Sequence, residues 1–427
     1  MLINFTFSNF KSYRSETEFS MVACEDITQD SGSLLTIPSS DELKLLPLAA
    51  IYGGNAAGKT SFTQALLSLK HMVCEGKVEY VMPFRLDEES RNTPSYFEIV
   101  IACEGDVWKY ALSVFGAKVV NEKLTNVSVD RRVYIREGDG SVHFNADYFS
   151  AKSDEEIKMA NVMAGSIPQE SILLTELRRH QGVLQDMAGI CDKIFHWFYH
   201  VLQIKDPGLL GPVPSIVYNH QEFSKILAAA GTGISSLSIR KLTLKELGAP
   251  VDALVIVERT MKEGDVRPFG DAIITKENGE LYAYKCGTEH VLPSGKIEQF
   301  ELREESEGTK SFINLLPILN NPAARPHVYV IDELDRSLHT KLSRRLIERH
   351  LEMVRAGVPQ QLIFTTHDVL LMDDELMRKD EIWLVDRYTD GTSELKAFVE
   401  YKEAESETNI RRSYMQGRMG GVPDINL

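Results

Sequence analysis

Gly53-Gly54-Asn55-Ala56-Ala57-Gly58-Lys59-Thr60 fits the pattern GxxxxGK[ST] at every fixed position. The pattern carries meaning only between a strand and a helix. Residues 48–52 form a short apolar run suited to a buried strand, and residues 61–72 place Phe62, Ala65, Leu66 and Leu69 at helical spacing. The glycines allow the backbone to approach closely and turn N–H groups toward phosphate oxygens, while the helix start adds the positive end of its dipole. The stretch therefore reads as a nucleotide site, with Gly53, Asn55, Ala56, Ala57, Gly58, Lys59, Thr60 and Ser61 around the phosphates. Lys59 is expected to reach the β and γ phosphates and Thr60 to hold Mg²⁺ through its hydroxyl. Ser61 is the neighbouring hydroxyl, but the spacing favours Thr60.

The chain has 427 residues, enough for one to three domains. Its 62 acidic and 47 basic residues give a net charge of −15, which opposes nonspecific attraction to DNA or to an anionic membrane unless a local basic patch overrides it. Cys24, Cys74, Cys103, Cys191 and Cys286 form no CxxC pair, which suits reduced thiols. No apolar run approaches ~18 residues, and the first residues lack a basic region followed by an apolar core. The expectation is a cytoplasmic protein without a membrane partner.

Around the loop, Ile3, Phe5 and Phe7 alternate with polar residues as in a half-buried strand, residues 9–13 follow as a turn, and a second strand is expected near 17–21. Residues 25–47 read as an irregular loop. Residues 95–103, 107–115, 119–129 and 131–136 read as a β-meander. Helical periodicity then covers 154–163, 171–181, 183–203 and 221–230, broken by Pro168, Pro207, Gly208 and Pro212, with no heptad run long enough for a coiled coil. His196 and His200 stand four apart without a third ligand, so packing in a core or interface is favoured over zinc. Strands return at 234–239, 272–275, 281–284 and 299–302, with Asn278-Gly279 as a hairpin turn.

The second half of the site is expected near Val328-Tyr329-Val330-Ile331-Asp332-Glu333, an apolar strand ending in two carboxylates. Parallel α/β sheets place ligands at strand carboxyl ends, so Asp332 becomes the Mg²⁺ partner of Thr60, and Glu333 is suited to orient or deprotonate the attacking water. Ser306 and Gly308 stand where an apolar helix begins and can expose N–H donors to phosphate, although Ser306 as a plain helix cap explains the same pattern. A strand at 361–364 ends in Thr365-Thr366-His367-Asp368, which positions His367 to bond a γ-phosphate.

In this order the motifs resemble the ABC-type ATPases of the RecF, SMC and OLD kind, particularly the compact AAA-like ATPases of bacterial phage-defence systems. Gly53 to Thr60 looks like their Walker A motif and Val328 to Glu333 like Walker B. Asn9-Phe10-Lys11-Ser12 resembles the amino-terminal signature, Ser306-Glu307-Gly308-Thr309-Lys310 the ABC signature, Asp335 the D-loop aspartate and His367 the switch histidine. Two departures stand out: no glutamine marks a Q-loop, with Phe84-Arg85 in that region, and the long coiled coil of SMC proteins is missing.

The resemblance implies an α/β ABC-type P-loop NTPase head with a mixed sheet, an antiparallel β arm and a helical insertion, divided as 1–150, 151–232 and 233–427. It implies that Lys11, Ser12, Ser306, Gly308 and Asp335 join the nucleotide contacts, and that Glu333 and His367 are the catalytic pair. ATP and Mg²⁺ are the implied cofactors. A homodimer or higher even oligomer is implied, sandwiching ATP between Walker A of one copy and the signature helix of the other. Only 427 − 367 = 60 residues follow His367, short for the nuclease module of OLD enzymes, so a separate nuclease or toxin is the expected effector. The leading expectation is a slow regulatory ATPase in antiphage defence. The alternative is a RecF-like or SMC-like repair ATPase that clamps duplex DNA, for which Lys341, Arg344, Arg345, Arg349, Arg411, Arg412 and Arg418 are the candidate basic contacts. A transporter ATPase is disfavoured by the missing Q-loop and the insertions.

Overall fold

Leu48–Gly53 is a strand whose six residues are all buried, as its unbroken apolar character requires of a strand covered on both faces. In the computed structural model it is an interior member of a six-stranded sheet. The described residues are 1–27, 33–37, 40–149, 153–180, 182–205, 214–248, 257–258, 261, 265–269, 272–321, 323–401, 410–418 and 420–421. Sheet order runs Leu202–Lys205, His327–Ile331, Gln360–Thr365, Leu48–Gly53, Ile382–Arg387 and Ser393–Ala397. The first five strands are mutually parallel and the last is antiparallel. The chain is thus α/β with a mixed sheet. Because the parallel strands share one direction, their carboxyl ends form one edge, and each pairing register carries Gly53, Ile331, Thr365 and Arg387 toward it.

A second sheet of seven antiparallel strands is built from Leu2–Ser8, Thr17–Ser20, Ser95–Cys103, Asp106–Phe115, Lys118–Asn126, Arg131–Arg136 and Val142–Phe144. Its inward positions alternate, as in Leu2–Ser8, where Phe5 and Phe7 are fully buried and pack near Phe62 of the helix after the loop. This is the expected β arm, with the third meander strand ending at Asn126 rather than 129.

By compactness the chain divides into Met1–Lys205 with Ala324–Glu333 and Leu351–Leu427, and a second unit of Asp206–Ala323 with Leu334–His350. This differs from the division at 150 and 232. The helices Asp154–Gly165, Leu173–Leu177 and Gln185–His196 bury Ala160, Ala164, Leu173, Leu174, Met187 and Ile194 in the same core as the β arm, so they are part of the first unit and not a separate insertion. The strand of Asp332 likewise pairs within the first unit. The predicted break at 150–151 and the breakers Pro207, Gly208 and Pro212 lie outside the described residues.

Two further expectations are corrected. The helix expected over 183–203 stops at His196, passes through a π-type turn and becomes the strand Leu202–Lys205, because Leu202 and Ile204 are needed beside Val328 and Val330 in the sheet. The segment expected as an irregular loop holds a two-stranded ribbon, Leu35–Ile37 with Ser40–Leu45.

Glu122 ties the arm to these helices. It is fully buried and accepts hydrogen bonds from the Tyr110 and Tyr134 hydroxyls, both at 3.0 Å, and from the Leu173 and Leu174 backbone N–H groups, both at 2.8 Å. The last two are orphan donors of a helix start that has no side-chain cap of its own. Burial pushes the Glu122 carboxyl up, and these donors oppose that shift. Glu122→Ala would strand four buried donors and is expected to cost about 3–5 kcal/mol by the usual penalties for unsatisfied buried groups. Urea unfolding measures it; a loss below about 1 kcal/mol would show that the donors find other partners.

The second unit holds the antiparallel strands Ser236–Thr243, Val266–Phe269, Ala272–Glu277, Glu280–Val291 and Ile297–Glu301. Glu277 pairs with Glu280 across the two-residue turn, where Asn278 and Gly279 both take positive φ (53° and 80°), as the sequence predicted. Also in this unit is the helix Glu307–Leu315.

Candidate functional site: the phosphate loop and the carboxylate edge

The loop leaves the sheet at Gly53 and enters the helix Lys59–Glu75. Gly58 precedes the helix with φ 126°, and a Cβ there would lie 2.5 Å from Ser393 Oγ and 3.1 Å from Ser12 Oγ, so only glycine fits. The first helical turn carries no acidic residue and no side-chain cap, which leaves its N–H groups and positive dipole end open to an anion. The loop is braced from outside: Ser393 Oγ donates to Ala57 O, Tyr13 Oη to Gly58 O at 3.2 Å, and Ser393 N to Ser12 O at 2.7 Å.

Lys59 folds over its own loop, donating to Gly53 O at 2.8 Å and Gly54 O at 2.9 Å, with its ammonium 3.4 Å from His367 Nδ1. The strand Gln360–Thr365 lies between Leu48–Gly53, which leads into the loop, and His327–Ile331, which leads to Asp332, and its last residue, Thr365, bonds both Asp332 and Glu333. Thr365 Oγ1 donates to Asp332 Oδ1 and accepts from Glu333 N, each at 2.7 Å. Glu333 has φ 54°, uncommon for a residue with a Cβ and a form of strain that clusters at functional sites. Thr366 N donates to Ile51 O at 3.0 Å, which fixes the turn carrying His367.

A cavity of about 480 Å³ opens here, lined by Ser12, Asn55, Ala56, Ala57, Gly58, Lys59, Thr60, Ser61, Glu333, His367 and Arg387. Most of the first unit's predicted contacts meet in it. Ser12 Oγ is buried and has no hydrogen-bond partner among the described residues, the condition of a hydroxyl awaiting a ligand. Gly53 and Asp332 are not among the lining groups; Gly53 ends the strand beneath the loop and Asp332 holds Thr365. Lys11 departs from expectation. Its backbone takes φ 51° and its ammonium turns to Gln64 Oε1 on the helix, away from the cavity lining. Partial burial lowers the Lys11 pKa, consistent with a brace more than a free cation. Asn9 serves the turn as well, accepting from Phe84 N at 3.0 Å and donating to Ser90 O at 2.7 Å. Phe84, the residue at the expected Q-loop position, is thus buried and structural.

These groups fit a nucleotide with its divalent cation: an anion cradle, a buried lysine, an orphan hydroxyl, and oxygen donors of the kind Mg²⁺ takes in Thr60 of the lining and in Asp332, which Thr365 ties to the backbone of Glu333. Sequence reasoning missed Arg387, Ser393 and Gln64. Arg387 alone had a usable signal, since it ends a strand of the same parallel edge.

Ser306, Gly308 and Asp335 fall in the second unit. Ser306 caps the helix Glu307–Leu315 by accepting from Thr309 N at 3.2 Å, and a Cβ at Gly308 would lie 2.5 Å from Ser337 O. The helix start is therefore packed tightly on the segment after Asp335. Of the basic residues on the helix Thr340–Arg355, Arg344 and Arg345 pair with Glu348 at 3.0 and 3.3 Å, while Arg411 donates to the carbonyls of Met372 and Leu370. His196 and His200 have their rings 4.5 Å apart and are exposed, so neither packs in this chain's core, whereas Trp197 and Phe198 between them do. No group of three or more His, Cys, Asp or Glu side chains placed to hold a metal ion occurs among the described residues. Nor is any helix among them long and apolar enough to cross a membrane.

The strand, glycine-rich loop and helix on a largely parallel mixed sheet define a P-loop nucleotide-binding α/β fold. Residues 257–373, which include Ser306, Asp332, Glu333 and His367, match the family model described as "AAA domain, putative AbiEii toxin, Type IV TA system". No curated protein matches the sequence. Among solved structures, the SMC head domain bound to the C-winged helix domain of ScpA is similar at 14% identity, covering 92% of this chain and 97% of that one with a TM-score of 0.40. The SMC head domain from Thermotoga maritima is similar at 14% identity, covering 93% and 98% with a TM-score of 0.37.

Proposed function

We propose that the chain binds and slowly hydrolyses ATP with Mg²⁺, joins a second copy around the nucleotide, and thereby restrains or activates a separate nuclease or toxin in bacterial antiphage defence. The observation that carries the ATP reading is the 3.4 Å approach of the Lys59 ammonium to His367 beside Glu333 in one cavity. Lys59 would leave its loop carbonyls for the β and γ phosphates, Ser12 would donate its unpartnered hydroxyl, and His367 would bond a γ-phosphate oxygen. Glu333 would take the proton of a water as that water attacks the γ-phosphorus and the bond to the bridging oxygen breaks, giving ADP and phosphate. Thr60 and Asp332 would hold the divalent cation, which neutralises charge on the phosphates. The capped start of Glu307–Leu315, with Ser306 and Gly308, would meet the phosphates of a second copy, with Asp335 beside it; two-fold symmetry makes two equivalent sites.

The defence context is supported by the toxin and type IV TA system named in the matching family's description. Sedimentation of the full chain with a non-hydrolysable ATP analogue is expected to show a doubled mass, and affinity purification to recover the product of an adjacent gene. A chain that stays single at saturating nucleotide would remove the pairing. Salt-dependent capture of duplex DNA that requires ATP, with no protein partner, would replace the effector reading by a DNA clamp.

A further inference from the structure

The strand Ile382–Arg387 brings to the cavity a cation that the motifs do not assign. It runs parallel to Leu48–Gly53 in the register Ile382↔Ala50 through Val385↔Gly53. Arg387 lies two residues past the last pair, on the face of its strand shared with Val385 and level with the phosphate loop. The two segments touch: a Cβ at Gly53 would lie 2.7 Å from Val385 O, and Arg387 Nη1 donates to Ala56 O at 2.8 Å. The Ala56 bond uses one of five guanidinium donors, and the side chain lines the cavity with Lys59 and Thr60.

Its side of the cavity tells what it meets. Sheet order puts the strands of Glu333 and His367 on one side of Leu48–Gly53 and the strand of Arg387 on the other. Lys59, beside His367, marks the first flank as the γ-phosphate end. A nucleotide laid across the loop leaves it on the opposite flank by its α-phosphate. In a chain of net charge −15, a phosphate there depends on a local cation.

We infer that Arg387 binds the α-phosphate, so that the site recognises nucleoside diphosphates and triphosphates alike; this rests on the cavity being the nucleotide site. The competing role is a brace that only holds Ala56 O. Calorimetric titration of the full chain with ADP and with the non-hydrolysable analogue AMPPNP, both with Mg²⁺, separates them. Arg387→Ala is expected to weaken both ligands by about tenfold with their ratio unchanged, a factor narrowed by added salt. Arg387→Lys should keep most of the affinity. Arg387→Gln can still donate to Ala56 O but carries no charge, and should bind as weakly as the alanine variant. Because Arg387 is exposed, unfolding without nucleotide should match wild type. Unchanged affinity in Arg387→Ala, a loss confined to AMPPNP, or full recovery in Arg387→Gln would each overturn the assignment while leaving the site intact. A wild type that binds neither ligand would remove the site reading itself and the assignment with it.

Discussion

Lys59→Ala is expected to weaken ATP binding by about a hundredfold to a thousandfold, the sum of two charge-assisted phosphate contacts of ~1.5–2 kcal/mol each. The side chain is 5% exposed and already desolvated, so its contacts with phosphate form where water competes little. Its removal also frees the carbonyls of Gly53 and Gly54, so apo stability must be measured beside affinity. Titration with a fluorescent ATP analogue reads the effect. An affinity within about threefold of wild type in a folded variant would contradict the role of the loop lysine, because the lost contacts would then be worth under ~0.7 kcal/mol.

Glu333→Gln should leave ATP affinity nearly unchanged and slow turnover by about 10²- to 10⁴-fold, the usual worth of a positioned base. Glutamine keeps the shape, and the backbone N–H that bonds Thr365 Oγ1 is untouched, so the geometry around Asp332 survives. What is lost is the capacity to accept a proton. Under the pairing proposed above, the variant should accumulate as an ATP-bound dimer. Phosphate release measured at saturating ATP decides the matter, and equal rates for variant and wild type would assign the base elsewhere.

The sequence exposed those parts of the site that depend on local pattern. The loop, the acid pair and His367 each sit at the end of a short apolar strand, and strand ends in a parallel sheet converge whatever the length of chain between them. The β arm was legible for the same reason, since alternation survives in one dimension. Four things were not. The direction of the Lys11 side chain depends on Gln64, which no spacing rule links to it. The helices after residue 153 looked like an insertion because periodicity reveals an apolar face and not what covers it; Glu122, 51 residues before Leu173, fixes that contact. The position of Arg387 at the loop follows from which strand neighbours Leu48–Gly53, and sheet order is set by long-range pairing rather than by composition. Both His196 and His200 are exposed while Trp197 and Phe198 between them are buried, a division that the run of aromatic neighbours does not reveal.

Electron paramagnetic resonance with Mn²⁺ in place of Mg²⁺ tests most directly whether the lysine loop and the carboxylate edge act on one metal-bound triphosphate. The account predicts a tight Mn²⁺ signal that appears only with ATP, shows hyperfine coupling to phosphorus, and is lost in both Thr60→Ala and Asp332→Asn. A coupled signal that persists unchanged in Asp332→Asn would mean that the two halves serve different ligands.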